Sequence, residues 1–455
     1  MHTRFPSALA LLLLACVAAL GSGSAAPTIH PASRPAPSSV SSPTPDEVAA
    51  SVPTSATPQA SPTPTPASPT AAPTATPRPR ATATPTAAPS PPATVTPVES
   101  APLAIHVSGN HLVNASGNTI TLHGVNRSGA EYMCVQNGGI FDGPSDSASV
   151  ATMAGWGINA VRIPLNEDCW LGINGALVSA SAYQSAIESY VTLLHSYGIY
   201  AILDLQWAAP GTSLATYQEN LPDHDHSPAF WSSVATVFKG DSATLFDLFN
   251  EPNNIGMIGC AAGAPAGCQT AVAESSAGNV AAANWWCAYV GTGCITNQNS
   301  AKFSDWQVAS MQDDLNAVRA AGATNVVMVG AEQFANDPSQ WLANVPSDPD
   351  NQLAMSFHVY DFNAVCVTAS CWNSELLPIA AQHPIITGEI GESDGTASFI
   401  DTYMSWADSH GVGYLAWAWD AWGCGDVAVL ISDYSGTACP GYGAGYQAHL
   451  ATLRS

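Results

Sequence analysis

Between Ile120 and Trp419 the chain repeats one pattern eight times: a short apolar run able to form a buried strand, then a longer stretch that includes helical spacing. The strand candidates are Ile120–Val125, Asn159–Pro164, Tyr200–Trp207, Thr244–Asn250, Asn325–Gly330, Leu353–Tyr360, Pro384–Glu389 and Gly413–Trp419. Amphipathic helical candidates between them include Ala180–Tyr197, Ser227–Phe238, Lys302–Ala321 and Ala397–His410. Strands that are apolar on both faces belong to a parallel sheet covered by helices. Eight of them over roughly 350 residues imply one α/β domain, a (β/α)8 TIM barrel. An open doubly wound sheet would call for a glycine-rich phosphate loop after an early strand, and no G-x-G-x-x-G stands there. Ahead of the barrel, Ala104–Val107 and His111–Val113 alternate around Ser108-Gly109-Asn110, which predicts a small N-terminal hairpin.

Two strand candidates end in glutamate. Leu245-Phe246-Asp247-Leu248-Phe249-Asn250-Glu251-Pro252 delivers Glu251, and Pro384-Ile385-Ile386-Thr387-Gly388-Glu389 delivers Glu389 after a glycine that permits close approach. In this fold the chemistry sits at the carboxyl ends of the strands. Two carboxyl groups on different strand ends are what glycosidic bond cleavage needs, one to protonate the leaving oxygen and one to attack or to activate water. Other strand ends add Asn126, Arg162, Gln206, Trp207, Asn250, His358, Tyr360, Trp417 and Trp419. Each alone suits a structural role: Arg162 as a buried ion-pair partner, His358 as a satisfied core histidine, the tryptophans as packing. Their shared location on one barrel face is the stronger signal.

Arg162, Asn250-Glu251-Pro252, His358-Val359-Tyr360, Gly388-Glu389 and the strand-eight tryptophan, in order across Leu103–Ser455, resemble glycoside hydrolase family 5, the large cellulase-containing family. That resemblance implies a retaining β-glycosidase with Glu251 as acid/base and Glu389 as nucleophile. It also implies that Asn250 binds the sugar 2-hydroxyl, that Arg162 and Tyr360 hold Glu389, that His358 lies near the acid/base, and that Trp419, or else Trp417, stacks on the sugar. One position departs from the family: many members carry histidine where this chain has Gln206. Glutamine donates and accepts hydrogen bonds but carries no charge near neutral pH, so an altered pH dependence or rate is expected rather than loss of the reaction. Retention further requires carboxyl groups about 5 to 5.5 Å apart, whereas inversion leaves a gap of about 6.5 to 9.5 Å.

Charge narrows the partners. Lys and Arg number 10 against 34 Asp and Glu, a net charge of −24, which repels nucleic acid and anionic membranes. The 13 Trp and 13 Tyr suit a surface that stacks on neutral sugar rings. The expected partner is therefore a neutral β-linked polysaccharide, cellulose or a related glucan, bound by a monomer, with no protein partner, cofactor or metal implied. An endo-acting β-1,4-glucanase is the first choice, with β-mannanase or another β-glucanase second. A non-catalytic carbohydrate-binding barrel is the reading from another class; it would be expected to have lost a glutamate, and both are present. Trp170, Trp207, Trp372 and Trp422 follow strand ends and are candidate cleft rings, while Trp156, Trp231, Trp306 and Trp406 fall on helical stretches and read as core.

Residues 1–26 read as an export signal, with Arg4 ahead of an apolar run and small residues after it. Leu13-Leu14-Ala15-Cys16 is similar to a bacterial lipoprotein processing site, so secretion with surface anchoring through Cys16 stands beside simple secretion. Residues 27–102 are dominated by Pro, Ser, Thr and Ala and read as a disordered linker. Residues 103–455 form the catalytic domain. Setting Cys16 aside leaves ten cysteines. Sequence neighbours suggest Cys260 with Cys268, Cys287 with Cys294, Cys366 with Cys371 and Cys424 with Cys439, leaving Cys134 with Cys169. All lie near loops on the carboxyl side, where bridges stiffen the rim; zinc is the competing reading, but no C-x-x-C occurs. The insertion between Pro252 and Lys302, with Trp285-Trp286, either walls the cleft or packs its tryptophans beneath a surface loop. Asp223-His224-Asp225-His226 reads as a polar loop entering the helix at Ser227-Pro228 rather than as metal ligands.

Overall fold

The computed structural model describes residues 103–136, 139–299, 301–425 and 428–454. The proposed export signal, Cys16 and the linker lie outside these residues. Eight parallel strands close into a barrel: β1 His123–Asn126, β2 Ala160–Asn166, β3 Tyr200–Trp207, β4 Thr244–Asp247, β5 Val327–Gly330, β6 Leu353–Tyr360, β7 Ile385–Gly391 and β8 Gly413–Ala416. Each pairs with its sequence neighbours, and β8 closes on β1 through Tyr414 with His123 and Ala416 with Val125. The expected hairpin forms antiparallel between Ile105–Ser108 and His111–Asn114.

Strand parity divides the apolar residues into two clusters, which is how the barrel organises its site. Inside, Leu122, Ala160, Ile202, Leu245, Met328, Ala354, Ile386 and Leu415 pack together with Ile105 and Leu112 of the hairpin. Outside, Val161, Leu203, Phe246, Val329, Phe357 and Tyr414 face the helix layer. Further along the inward register the residues turn polar: Asn126, Arg162, Asp204, Asp247 and Ser356 are all buried. The barrel is thus filled with hydrocarbon at one end and with hydrogen-bonding groups at the other.

Helices Ala180–Ser196, Ser227–Phe238 and Ser398–His410 sit where the spacing predicts. The stretch from Lys302 does not: the helix starts only at Met311, capped by Ser310, which exchanges hydrogen bonds with Asp313, and Trp306–Gln307 is instead a short strand. A hydroxyl at an N-cap outweighs apolar spacing that continues upstream of it. The insertion after Pro252 folds into strands Met257–Cys260 and Cys294–Thr296, joined by Trp306–Gln307 into one sheet, with helices Ala266–Ser276 and Val280–Cys287. Its tryptophans pack within it, Trp285 stacking on Tyr289 at 4.6 Å.

All five disulfides form as the spacing suggests: Cys134–Cys169, Cys260–Cys268, Cys287–Cys294, Cys366–Cys371 and Cys424–Cys439. The ten cysteines are therefore engaged, and the zinc alternative falls. The ring candidates need correcting. Trp170 is fully buried, edge-on to Tyr183 and Phe230. Trp372 is enclosed by Tyr403 and Trp406, and Trp419 is enclosed edge-on to Trp156 at 4.8 Å. These three belong to the outer layer because helices, not solvent, cover their positions. Trp207 and Trp422 keep partial exposure.

Candidate active site

Arg162 organises the polar end of the barrel. From β2 its Nε donates to Asp247 Oδ2 at 3.0 Å and its Nη2 meets Asp204 Oδ1 at 2.9 Å. The same guanidinium reaches Asn250 Oδ1 at 2.9 Å, Glu389 Oε1 at 3.0 Å, Asn126 Oδ1 at 3.1 Å and, weakly, Gln206 Oε1 at 3.5 Å. A planar fork with five N–H donors can serve acceptors from several strands at once, which a lysine cannot. Asp204 and Asp247 are the residues that the strand-end reading left out of the site. Both stand at the inward register, and parity alone could have found them.

Glu389 reaches the interior through an irregularity. Thr387 pairs with Phe357 and Glu389 with His358, so Gly388 is one extra residue on β7. Strict alternation from the inward Ile386 would turn residue 389 toward the helices; the bulge turns it back. Only glycine fits there, since a Cβ on residue 388 would lie 2.8 Å from His358 Nε2 and 3.0 Å from Ser356 Oγ. Tyr360 Oη then donates to Glu389 Oε2 at 2.6 Å.

Glu251 arrives differently. β4 ends at Asp247, three residues short of the predicted Asn250, yet Leu248 N–H still bonds Met328 O and Asn250 N–H bonds Leu205 O. Glu251 itself adopts φ 48°, in the left-handed region, a conformation that costs a non-glycine residue about 1 to 3 kcal/mol and recurs at functional sites. Its neighbours are few: His358 Nδ1 lies 3.3 Å from Oε1, and Gln218 Nε2 lies 3.4 Å from Oε2. A carboxylate oxygen of Glu251, one of Glu389 and a ring nitrogen of His358 all fall within 4.8 Å of one another.

Electrostatics separate the two acids. Burial pushes the Glu251 carboxyl up to about 7, opposed mainly by the Gln218 amide. Burial also raises Glu389, and so does the nearby Glu251, but Arg162 and the Tyr360 hydroxyl favour its anion. With two strong donors on Glu389 and only long contacts on Glu251, a shared proton rests on Glu251. Burial lowers His358 to about 4, so the imidazole between them is neutral.

Gln206 lies inside the barrel, 4% exposed, with Arg162 as its contact. Trp207 ends the strand partly exposed beside Tyr132, the ring centres 6.2 Å apart. Tyr132 Oη and Trp422 Nε1 both donate to Asp142 Oδ2, at 2.6 and 2.9 Å. Sequence reading missed Tyr132, on the short helix Ala130–Gln136 that follows β1, and Asp142 and Gln218, which stand in irregular loops where no periodicity marks them. Trp417 follows directly after β8, two residues beyond the inward Leu415, and is 4% exposed; its buried indole N–H has no hydrogen-bond partner among the described residues.

The loop 223–226 gathers acids. Glu167, Asp168 and His226 come within 4.8 Å of one another, as do Asp223, Asp225 and His226. The hydrogen bond to Asp223 raises His226 to about 9, so an imidazolium supplies the positive charge there. The helix begins at Ser227 as expected, but His226 holds the cap position without a side-chain cap, because Ser227 Oγ donates to Glu167 at 2.7 Å.

Comparison with known proteins places these features in a lineage. The mannan endo-1,4-β-mannosidase of Streptomyces lividans is 25% identical over 336 residues, 72% of this chain and 69% of that protein. The cellulase/esterase CelE of Acetivibrio thermocellus is 27% identical over 180 residues, 35% of this chain, which spans only 22% of that protein's length. Among solved structures, a β-glucanase of Saccharophagus degradans superposes with TM-score 0.54 at 18% identity, over 78% of this chain and 95% of that one, a likeness of fold. The model of the cellulase family, glycosyl hydrolase family 5, matches residues 113–423, more than half of the chain. The chain belongs to glycosyl hydrolase family 5.

Proposed function

We propose that the protein is a secreted, retaining, endo-acting β-1,4-glucanase that hydrolyses its substrate by double displacement. Glu389 attacks the anomeric carbon and forms a covalent glycosyl–enzyme bond as Glu251 gives its proton to the departing oxygen. Glu251, now anionic, takes a proton from water, which displaces Glu389 and releases the sugar with its configuration kept. The observation that carries this reading is the approach of one carboxyl oxygen of Glu251 and one of Glu389 to within 4.8 Å, which favours the short carboxyl separation of retention over the wider gap of inversion. Arg162 and Tyr360 hold Glu389 ionised, Asn250 offers an amide N–H to the sugar, and Trp417 rather than the enclosed Trp419 stacks on the ring beside the cleaved bond. Tyr132, Trp207 and Trp422 extend an aromatic rim suited to pyranose faces.

The similarity to the Streptomyces mannanase supports β-mannan as a second substrate reading. A reducing-end assay on soluble cellulose derivative, lichenan, glucomannan, mannan and xylan decides between them. The two-glutamate mechanism is tested by Glu389→Gly, expected to lose about 10⁴-fold or more in rate and to regain turnover with azide, giving a glycosyl azide of inverted configuration. Unchanged activity in that variant would remove the nucleophile from its role.

A further inference from the structure

Asn250 is held at both ends. Its Oδ1 accepts from Arg162 Nη2 at 2.9 Å, and its Nδ2 donates to Gln218 Oε1 at 2.8 Å. Since a guanidinium only donates, the first bond identifies the oxygen of the Asn250 amide; the second then takes one of its two N–H groups and leaves the other for a ligand. Gln218 also uses its own nitrogen, which lies 3.4 Å from Glu251 Oε2, Glu251 O and Asn250 O. One side chain therefore touches both residues at the end of the strand-four segment.

Gln218 stands on the excursion between β3 and the helix Ser227–Phe238, and the residues flanking it are clamped. Lys302 Nζ sits 3.3 Å from the centre of the Tyr217 ring, and buried Glu219 accepts from Asn299 Nδ2 at 2.9 Å. Asn253 N–H donates to Asn220 O at 3.0 Å. These contacts tie the excursion to the insertion and to the chain just beyond Glu251, so Gln218 is presented from a fixed base.

We propose that Gln218 is a positioning residue that sets the Asn250 amide and the Glu251 carboxyl in one rigid unit, so that the sugar hydroxyl is read and the leaving oxygen protonated in register. The proposal rests on Glu251 being the acid/base. In the first step the Glu251 O–H bond breaks as its proton goes to the glycosidic oxygen; the C–O bond to the leaving sugar breaks and the Glu389–carbon bond forms. The Gln218 N–H faces the carboxyl that becomes negative in that step, and it turns both groups without touching the reacting carbon.

The test compares Gln218→Met, which keeps the volume and removes the amide, with Gln218→Glu, which keeps an acceptor for Asn250 but sets a carboxyl beside Glu251. Each is assayed on a dinitrophenyl β-cellobioside, whose leaving group needs no protonation, and on an unactivated cello-oligosaccharide, or on the manno-counterparts if mannan is the substrate. Gln218→Met is expected to lose about 10- to 100-fold in kcat/KM on the unactivated substrate and only about 3-fold in the glycosylation rate of the activated one, where the loosened Asn250 amide alone is felt. The basic limb of its pH profile moves upward, and that of Gln218→Glu moves further. Equal losses on both substrates at unchanged Tm, or no loss, would overturn the proposal. Should the methionine variant not fold, an unmoved basic limb and leaving-group ratio in Gln218→Glu overturn it alone. Glu251→Gln is run alongside: full activity on the unactivated substrate there would bring down the acid/base assignment itself rather than this refinement of it.

Discussion

Arg162 Nη1 donates to Glu389 Oε1 at 3.0 Å while the rest of the same guanidinium neutralises Asp204 and Asp247, all four side chains lying in the barrel interior. Arg162 therefore supports the fold and the ionisation of Glu389 at once. Arg162→Ala leaves two buried aspartates unpaired and is expected to cost about 3 to 5 kcal/mol of stability. Arg162→Lys keeps a charge but has too few donors for so many acceptors, so it should retain part of the stability and lose most of the activity. Denaturant titration together with kcat/KM separates the two effects.

A pH profile follows from Glu251. The proposed first step needs its carboxyl protonated, and burial sets that proton's release at about 7. kcat/KM should fall tenfold per pH unit above about 7, and Glu251→Gln should abolish that limb and lower the rate by about 10² to 10⁴-fold on unactivated substrates. A basic limb that survives in Glu251→Gln would assign the titration to another group.

The two strand-eight tryptophans should part company. Trp419→Ala removes a wholly enclosed ring from the helix layer and is expected to cost about 3 to 5 kcal/mol while leaving the KM of the folded fraction nearly unchanged. Trp417→Ala should raise KM about tenfold or more, on the scale of a lost ring-stacking contact. Melting curves paired with steady-state kinetics check both; the reverse pattern would restore Trp419 as the stacking residue.

Stability should rise as pH falls toward the acid range. Burial raises Glu131, Glu219, Glu251 and Glu332 to about 7 and Asp168 to about 6. In the unfolded chain such groups release protons near 4, so between about 4 and 7 the folded state binds more protons and stability declines with rising pH. Asp408 works in the opposite direction, held well below its usual range by hydrogen bonds to His123 and His449, and its contribution is lost only in stronger acid. Tm is expected to be higher at pH 5 than at pH 7.5; a Tm that increases across that interval contradicts the account.

Cys134–Cys169 closes the longest loop of the five bridges, 35 residues, and links the segments that follow β1 and β2. By loop entropy it contributes about 3 to 4 kcal/mol, more than Cys366–Cys371 with a separation of 5. Paired serine replacements at each bridge, followed by thermal unfolding, should show that order.

Local pattern alone laid out the barrel and brought Glu251 and Glu389, the two acids proposed for the reaction, to the ends of its strands. Apolar runs of strand length punctuated by turns mark eight buried strands, and a glutamate at the end of a run inherits the position of that end. The five cysteine pairs were legible for the same reason, since four join near neighbours and the fifth was what remained. Which face each side chain meets was a different matter. Gly388 adds one residue to β7 and reverses the parity that carries Glu389 inward, and Ser310 stops a helix that apolar spacing would have extended. Trp419 and Trp372 follow strand ends in sequence but lie beneath helices in space. Gln218 meets Glu251 across 33 residues of irregular chain. Such contacts follow from how distant segments pack, and no spacing within one segment encodes them.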